Sequence, residues 1–173
     1  RSMDAMYQLK ETYDEKGYVV CDDLLTDPVI KELRAVIDEL IDHAPASGES
    51  DNVYEILDDI ETGEPRIERI KEPHKVHRLF DQLIRRTEIT DVLRTLLGPN
   101  VRLQSSKLNL KLQGGSAPVE WHQDPPYYQA DARKDTFGVP NFDVDIYLDD
   151  STVDNGGFFS AHSDAQNGDF GVI

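Results

Sequence analysis

The spacing of apolar residues changes at Gly98–Pro99, and this change limits the folds that the sequence can adopt. Before this point apolar residues recur every three or four positions, which is typical of helices with one buried face. After residue 100 they alternate with polar residues, which is typical of strands. A chain of 173 residues is long enough to bury both parts in one core. We therefore predict a single domain of the α+β or mainly β class, in which a mostly helical part (residues 1–99) packs on an antiparallel sheet (residues 100–173).

The helical part divides at glycine and proline residues. Residues 3–16 are predicted to form a helix that ends at Gly17, and residues 26–43 a helix that is capped by Thr26 or Asp27 and has a proline in its first turn. Residues 74–97 are predicted to form two consecutive helices. A short strand is predicted at 18–25, and residues 53–70 permit no assignment.

Four stretches of the second part have strand character: residues 101–112, 119–124, 142–150 and 157–162. In the first of them leucines alternate with Lys107, Asn109 and Lys111, so these polar side chains are expected on one face. A turn is predicted over 152–156, before the fourth strand.

The charge of the chain excludes several classes of partner. Acidic residues number 34 and basic residues 18, a formal net charge of −16, and such a field repels nucleic acids and anionic membranes. No apolar run approaches the length that spans a bilayer, so we expect no membrane partner either. The single cysteine, Cys21, fits a reducing compartment, and we expect a cytoplasmic protein.

The stretch VEWHQDPPYYQ, residues 119–129, combines the residue types of a metal site. In a strand His122 and Asp124 point to the same face, and an imidazole nitrogen beside a carboxylate oxygen suits a divalent metal such as iron(II). A second histidine from elsewhere would complete a site with two histidines and one carboxylate. The motif by itself leaves open a strand histidine that is hydrogen-bonded to its neighbouring carboxylate.

Other polar clusters have simpler explanations. A second His-x-Asp occurs at His162–Asp164 in a polar run that is predicted to be a loop. His74 and His77 are expected at the surface of a basic stretch, and the pair Asp58–Asp59 in a turn or in solvent. The sequence has no phosphate-binding loop, no nucleophile elbow and no dinucleotide-binding glycine pattern.

The order of four segments resembles the phytanoyl-CoA dioxygenase family of iron(II)- and 2-oxoglutarate-dependent oxygenases. The segments are YDEKGYVVCDDLLTDPVIKELRAVIDEL, LLGPNVRLQSSKLNLKLQGG, WHQDPPYY and DIYLDDSTVDNGG. They follow the family's order over most of residues 10–158. The resemblance implies a double-stranded β-helix, a cupin-like jelly roll with the N-terminal helices packed on it and the metal inside.

The resemblance also implies roles for particular residues. His122 and Asp124 would be two of the three iron(II) ligands and therefore catalytic. The retained carboxylate of Asp124 favours hydroxylation over halogenation, because related halogenases replace it with a small residue. Tyr128, with Tyr127 beside it, would line the substrate pocket, within a loop over residues 125–141.

On the strand before this motif, Asn109 matches a position at which relatives contact 2-oxoglutarate. Lys107 matches a position on the substrate or cosubstrate side. Both point to the same face, and a cation there would suit an anionic carboxylate. The alternative is an exposed amphipathic edge strand.

The C-terminal stretch FFSAHSDAQNGDFGVI departs from the family, which continues with an apolar strand, a second iron histidine and a later arginine that holds 2-oxoglutarate. After Asp124 the sequence contains only His162 and Arg133 as residues of these types, and His162 would be a ligand only with an unusual spacing. We therefore expect the missing strands, histidine and arginine to lie beyond Ile173, and GDFGVI to begin a returning strand.

The sequence thus predicts a non-haem Fe(II)- and 2-oxoglutarate-dependent dioxygenase, a hydroxylase that uses dioxygen to oxidise a small molecule. Two alternatives stay open. One is another metal-dependent jelly-roll enzyme without this cosubstrate, and the other is a non-catalytic binding domain of the same fold. The substrate and the oligomeric state are not indicated.

Overall fold

The structure, a computed structural model, describes residues 2–59, 61–110, 143–155, 157, 159–161 and 170–172. Its α-helices are α1 (Met3–Lys16), α2 (Asp27–Asp42), α3 (Pro73–Val76), α4 (Arg78–Ile84) and α5 (Thr87–Leu97). Its strands are β1 (Tyr54–Asp58), β2 (Pro65–Lys71), β3 (Lys107–Asn109), β4 (Phe159–Ala161) and β5 (Phe170–Val172). A short 3₁₀ helix covers Val153–Asn155.

The described strands form two antiparallel sheets. Strand β2 lies between β1 and β3, and β4 pairs with β5. The mixture of helices and antiparallel sheet confirms the α+β class. The jelly roll and the division at residue 99 remain predictions. Among the described residues, no helix combines the length and the apolar character that crossing a membrane requires.

The two predicted N-terminal helices are confirmed as α1 and α2, whereas residues 74–97 belong to three helices, α3, α4 and α5, instead of the predicted two. Ser2 precedes α1, and its hydroxyl accepts a hydrogen bond from the Ala5 backbone N–H at 3.2 Å. Gly17 ends α1 in the left-handed region (φ 78°), where a side chain would be disfavoured. Thr26 is the N-cap of α2, and Pro28 lies in its first turn, as predicted.

Residues 53–70, which had no assignment, form most of a β-hairpin. Asp59 organises its turn, because one carboxylate oxygen accepts hydrogen bonds from the N–H groups of Glu61 and Thr62, each at 2.9 Å. The prediction that Asp58 and Asp59 lie in a turn or in solvent is right for Asp59 as a turn residue and for Asp58 as an exposed residue at the end of β1. Asp59 is nevertheless buried rather than solvated, and it pairs with the half-buried Arg66.

A bulge at Glu68 determines which residues of β2 face the core. Ile56 pairs with Ile67 and Glu55 with Arg69, so Glu68 has no partner on β1. The extra residue shifts the alternation by one position. Ile67 and Ile70, three residues apart, are therefore both buried.

Helices α2, α4 and α5 pack with β1 and β2 around one core. Leu33 of α2 and Ile70 of β2 are fully buried. The buried apolar residues of this part of the chain are Leu33, Leu40, Tyr54, Ile67, Ile70, Phe80, Leu83, Ile89 and Val92. Leu108 and Leu110 also pack against this core, so one face of β3 is turned toward it.

Two predicted strands are wrong. Residues 18–25 form an irregular segment with a turn, because Asp23 adopts a left-handed conformation (φ 53°) that interrupts an extended chain. Residues 143–150, the described part of the stretch 142–150, are also not a strand. Ile146 and Leu148 pack on the core, but the Leu148 carbonyl accepts hydrogen bonds from the Arg34 side chain of α2 instead of a neighbouring strand.

The remaining strand predictions have mixed outcomes. Of residues 101–112, only Lys107–Asn109 form a described strand, and residues 119–124 lie outside the described residues. The predicted strand at 157–162 is confirmed as β4, and GDFGVI contributes β5, which returns antiparallel to it. The turn before β4 contains a 3₁₀ helix, in which Asn155 accepts a hydrogen bond from the Thr152 N–H at 2.7 Å.

Candidate functional site

The described residues include one part of the predicted site. Lys107 and Asn109 lie on β3. The predicted metal ligands His122 and Asp124 and the predicted pocket residues Tyr127 and Tyr128 lie outside the described residues, as do Arg133 and His162. The geometry of the site is therefore described at β3 and at the strands that hold it.

The β1–β2–β3 sheet has an apolar face and a polar face where its three strands align. Tyr54, Ile70 and Leu108 are register partners and belong to the core that the helices share. The next register row consists of Glu55, Arg69 and Asn109. Because successive side chains of a strand point to opposite faces, this row lies on the polar face.

The three side chains of this row, which we call the polar row, contact one another. The Arg69 Nε–H donates to Asn109 Oδ1 at 3.0 Å. The same guanidinium donates through Nη1 to both Glu55 carboxylate oxygens, at 3.1 and 3.4 Å. The side chains of Arg69 and Glu55 are 35% and 34% exposed, so the pair is accessible from the polar face.

Lys107 is the cation of β3 on this face. It is exposed, and its register partner is Lys71 on β2. The Lys71 ammonium is engaged, because it donates to the Asp51 carbonyl at 2.5 Å. The Lys107 ammonium, in contrast, has no hydrogen-bond or ion-pair partner within the described part of the chain. It is thus a free donor there, on the same side of β3 as Asn109.

A polar cluster fixes the start of β3. Glu72, in a left-handed conformation (φ 52°), donates its N–H to the Ser106 carbonyl at 2.9 Å. Its carboxylate accepts the Ser106 N–H at 3.0 Å. The Lys75 ammonium and this Ser106 N–H hold the pKa of the Glu72 carboxyl below its usual value. Two reciprocal bonds between residues 34 positions apart place β3 beside β2.

The expectation that His74 and His77 lie at the surface is wrong for the His74 side chain and holds only in part for His77, which is half-buried. The His74 ring is 14% exposed, and its Nδ1 lies 2.6 Å from the Ser106 hydroxyl. The half-buried His77 precedes α4, and its Nδ1 accepts the Leu79 N–H at 3.1 Å. Each histidine therefore has a structural contact, and the spacing of a helical metal site explains neither.

The sequence interpretation missed Arg69 and Glu55. A signal was present, because YEILD and PRIERIK flank the turn sequence TGEP as the two arms of a hairpin would. The bulge at Glu68 disturbs the alternation, and pairing with β3, 40 residues away, is not visible in the sequence. Within the described ranges, no group of three histidine, cysteine or carboxylate side chains is placed to hold a metal ion.

Comparison with known families gives one match over most of the chain. The protein-family model described as "Phytanoyl-CoA dioxygenase (PhyH)" matches residues 13–162. This range includes the polar row as well as His122 and Asp124. No solved structure is significantly similar to the chain.

Three curated relatives illustrate the similarity. A "Probable alpha-ketoglutarate-dependent hypophosphite dioxygenase" of Stutzerimonas stutzeri is 39% identical over 90 residues, which are 52% of this chain and 29% of that protein. An "Ectoine dioxygenase" of Streptomyces avermitilis is 27% identical over 150 residues, 85% of this chain and 47% of that protein. An "L-proline trans-4-hydroxylase" of Streptomyces griseoviridis is 25% identical over 148 residues, 85% of this chain and 50% of that protein. The chain thus spans half or less of the length of these relatives.

Proposed function

Because the chain belongs to the phytanoyl-CoA dioxygenase (PhyH) family, we propose that it is part of an iron(II)- and 2-oxoglutarate-dependent oxygenase that hydroxylates a small molecule. The observation that carries this proposal is the family match over residues 13–162, which contains the His-x-Asp motif in the expected order with the other segments. The names of the relatives support a dioxygenase or hydroxylase that uses 2-oxoglutarate.

We propose a jelly-roll core for the same reason, and the described sheet supports it. The helices cover the apolar face of β1–β2–β3 and leave the polar face open. The polar face is therefore the side of the described sheet on which we propose the small-molecule site. The antiparallel β4–β5 pair fits the succession of antiparallel strands in such a core.

The donor set of His122 and Asp124 fits iron(II). One neutral imidazole nitrogen and one anionic carboxylate oxygen bind a borderline divalent ion without neutralising it fully. Bound there, iron(II) would supply the redox chemistry that couples oxidative decarboxylation of 2-oxoglutarate by dioxygen to oxidation of a C–H bond. Related halogenases replace this carboxylate with a small residue, whereas Asp124 retains it. We therefore propose hydroxylation, and not halogenation, as the outcome.

The polar face of β3 is proposed to bind the cosubstrate. The Lys107 ammonium and the amide N–H groups of Asn109 are hydrogen-bond donors, which suit a carboxylate. Lys107 would contribute charge, and Asn109 would fix the direction of the bound carboxylate. Tyr127 and Tyr128 are proposed to line the pocket of the substrate, a small molecule as the names of the relatives indicate. The net charge of −16 and the single cysteine favour a cytoplasmic enzyme that does not bind nucleic acid.

The binding of iron(II) with 2-oxoglutarate tests the proposal directly. The intact protein, mixed anaerobically with both, should give a weak visible charge-transfer band, and either His122→Ala or Asp124→Ala should abolish it. Asp164→Ala is the matched control, because it removes the carboxylate of the second His-x-Asp sequence, and it should leave the band unchanged. A band that survives in both His122→Ala and Asp124→Ala would overturn the ligand assignment.

Two further results of the same experiment separate the alternatives. Oxidation of a substrate without consumption of 2-oxoglutarate would indicate another metal-dependent enzyme of this fold. A folded protein that binds neither iron(II) nor 2-oxoglutarate would indicate a binding domain without catalytic activity.

A further inference from the structure

The contact between Arg69 and Asn109 determines which way the Asn109 amide points. A guanidinium carries five N–H donors and no acceptor. The Asn109 atom that lies 3.0 Å from Arg69 Nε must therefore be the carbonyl oxygen, Oδ1. This orientation turns the amide nitrogen, Nδ2, away from Arg69. Asn109 consequently presents two N–H donors to the polar face rather than an oxygen acceptor.

Arg69 is itself held in place. Its Nη1 donates to both oxygens of Glu55, at 3.1 and 3.4 Å, while its Nε donates to Asn109. The three residues stand in one register row across three paired strands. Two separate contacts on a planar, rigid fork leave the guanidinium little freedom to rotate. Glu55 therefore orients Arg69, and Arg69 orients Asn109.

The donors of Asn109 lie beside a cation without a described partner. Lys107 is two residues earlier on β3, so its side chain lies on the same side of the strand. Two amide N–H groups and one ammonium favour an anionic acceptor and disfavour a cation. An Asn109 amide turned by 180° would present its oxygen to the same anion and repel it.

We propose that Arg69, held by Glu55, is a positioning residue that fixes the Asn109 amide so that Nδ2 donates to a carboxylate of 2-oxoglutarate. This inference rests on the proposed function. It adds Glu55 of β1 and Arg69 of β2 to the residues that shape the cosubstrate site. Arg69 acts through Asn109 and need not touch the cosubstrate. Its effect must therefore disappear when Asn109 has no amide to orient.

A double-mutant cycle on the intact protein tests this dependence. The variants are Arg69→Met, Asn109→Ala and the double variant, and the measurements are the Kd of 2-oxoglutarate by calorimetry and the KM and kcat of its turnover. Each single variant should raise Kd and KM about tenfold, the loss expected for one hydrogen bond. The value of kcat should stay within about twofold of wild type, because only cosubstrate binding changes. The double variant should bind no more weakly than Asn109→Ala alone.

Two further variants keep the result interpretable. Arg69→Lys retains the charge and the contact with Glu55 but lacks the fork, so it should weaken binding nearly as much as Arg69→Met while leaving the fold intact. Arg94→Met is the matched control, because Arg94 forms an exposed ion pair with Asp91 on the same helix, α5, and it should change nothing.

The outcomes separate the inference from the function on which it rests. If Asn109→Ala weakens 2-oxoglutarate binding and Arg69→Met does not, the positioning role is wrong and the proposed function stands. If the two effects multiply in the double variant, Arg69 acts independently of Asn109 and the inference is equally wrong. If the wild-type protein does not bind 2-oxoglutarate at all, the proposed function fails first.

Discussion

The hydrogen bond from Tyr54 to helix α2 offers a quantitative test of the fold. Tyr54 lies on β1 with 7% of its surface exposed, and its hydroxyl donates to the Leu40 carbonyl at 2.7 Å. Leu40 stands in the last turn of α2, where the backbone carbonyls lack the usual partner four residues later. The substitution Tyr54→Phe removes the hydroxyl and keeps the ring.

The neighbouring carbonyls of α2 show why Leu40 depends on Tyr54. Glu39 accepts the His43 N–H at 3.2 Å. The Ala44 N–H, which a continued helix would direct to Leu40, instead donates to Ile41 at 3.1 Å. The Leu40 carbonyl is thus left to the side chain of β1, which ties the sheet to the helix.

The magnitude follows from what Tyr54→Phe removes. The apolar burial of the ring remains, so the loss is the cost of a Leu40 carbonyl that stays buried without its partner. Leaving a buried acceptor without a hydrogen bond costs about 1–3 kcal/mol. We therefore expect Tyr54→Phe to lower the free energy of unfolding by about 2 kcal/mol.

Urea unfolding of the intact protein, followed by circular dichroism at neutral pH, measures this change. Tyr147→Phe is the control, because Tyr147 is 46% exposed, and it should change stability by less than about 0.5 kcal/mol. A loss below about 0.5 kcal/mol for Tyr54→Phe, with an unchanged dependence on urea, would refute the reasoning. Water or the Ala44 N–H would then satisfy the Leu40 carbonyl.

Two further substitutions test the hairpin and the start of β3. Gly48 has φ +70°, and an added Cβ would lie 2.8 Å from the Pro65 ring. Gly48→Ala should therefore lower the free energy of unfolding by about 2 kcal/mol. An unchanged midpoint of urea unfolding would contradict this conformation. Lys75 and the Ser106 N–H lower the folded-state pKa of Glu72 below 4.5, so its stabilisation is present above that pH and is lost as pH falls through the lowered pKa. Wild type should therefore exceed Glu72→Gln in stability at pH 7, and the difference should shrink in acid; a difference independent of pH would contradict the ion pair.

The helices could be predicted because their limits are local. Gly17 permits the left-handed conformation that ends α1, and Pro28 fixes φ in the first turn of α2, directly after the N-cap region. The prediction of α1 and α2 needed no knowledge of the rest of the chain. The same holds for the end of α5 at Gly98.

The strands could be predicted less well because pairing decides them. Residues 143–150 alternate as a strand would, yet Arg34 of α2 takes the Leu148 carbonyl, a contact 114 residues apart. In β2 the bulge at Glu68 puts Ile67 and Ile70 on one side, a spacing of three that resembles a helix. A two-residue period therefore indicates strands only where the partner strand is regular.

The candidate site divides in the same way. That Lys107 and Asn109 share a face followed from the period of the strand, and β3 confirms that both occupy exposed positions. That Glu55 and Arg69 stand beside Asn109 follows from register across three strands, which the sequence does not contain. The assignments of His122, Asp124, Tyr127 and Tyr128 stay predictions.

The exposure of the polar row separates a structural role from a binding role. Glu55 and Arg69 are about one-third exposed, and an ion pair that accessible contributes about 0–1 kcal/mol to stability. Removing Arg69 should therefore hardly move the unfolding midpoint. A cosubstrate bound against Asn109 would exclude water from the row and strengthen each of its contacts, since the local dielectric falls. If the polar row serves binding, removing Arg69 should change the affinity for 2-oxoglutarate greatly and the stability of the fold only slightly. If the polar row serves the fold, removing Arg69 should change stability more than affinity.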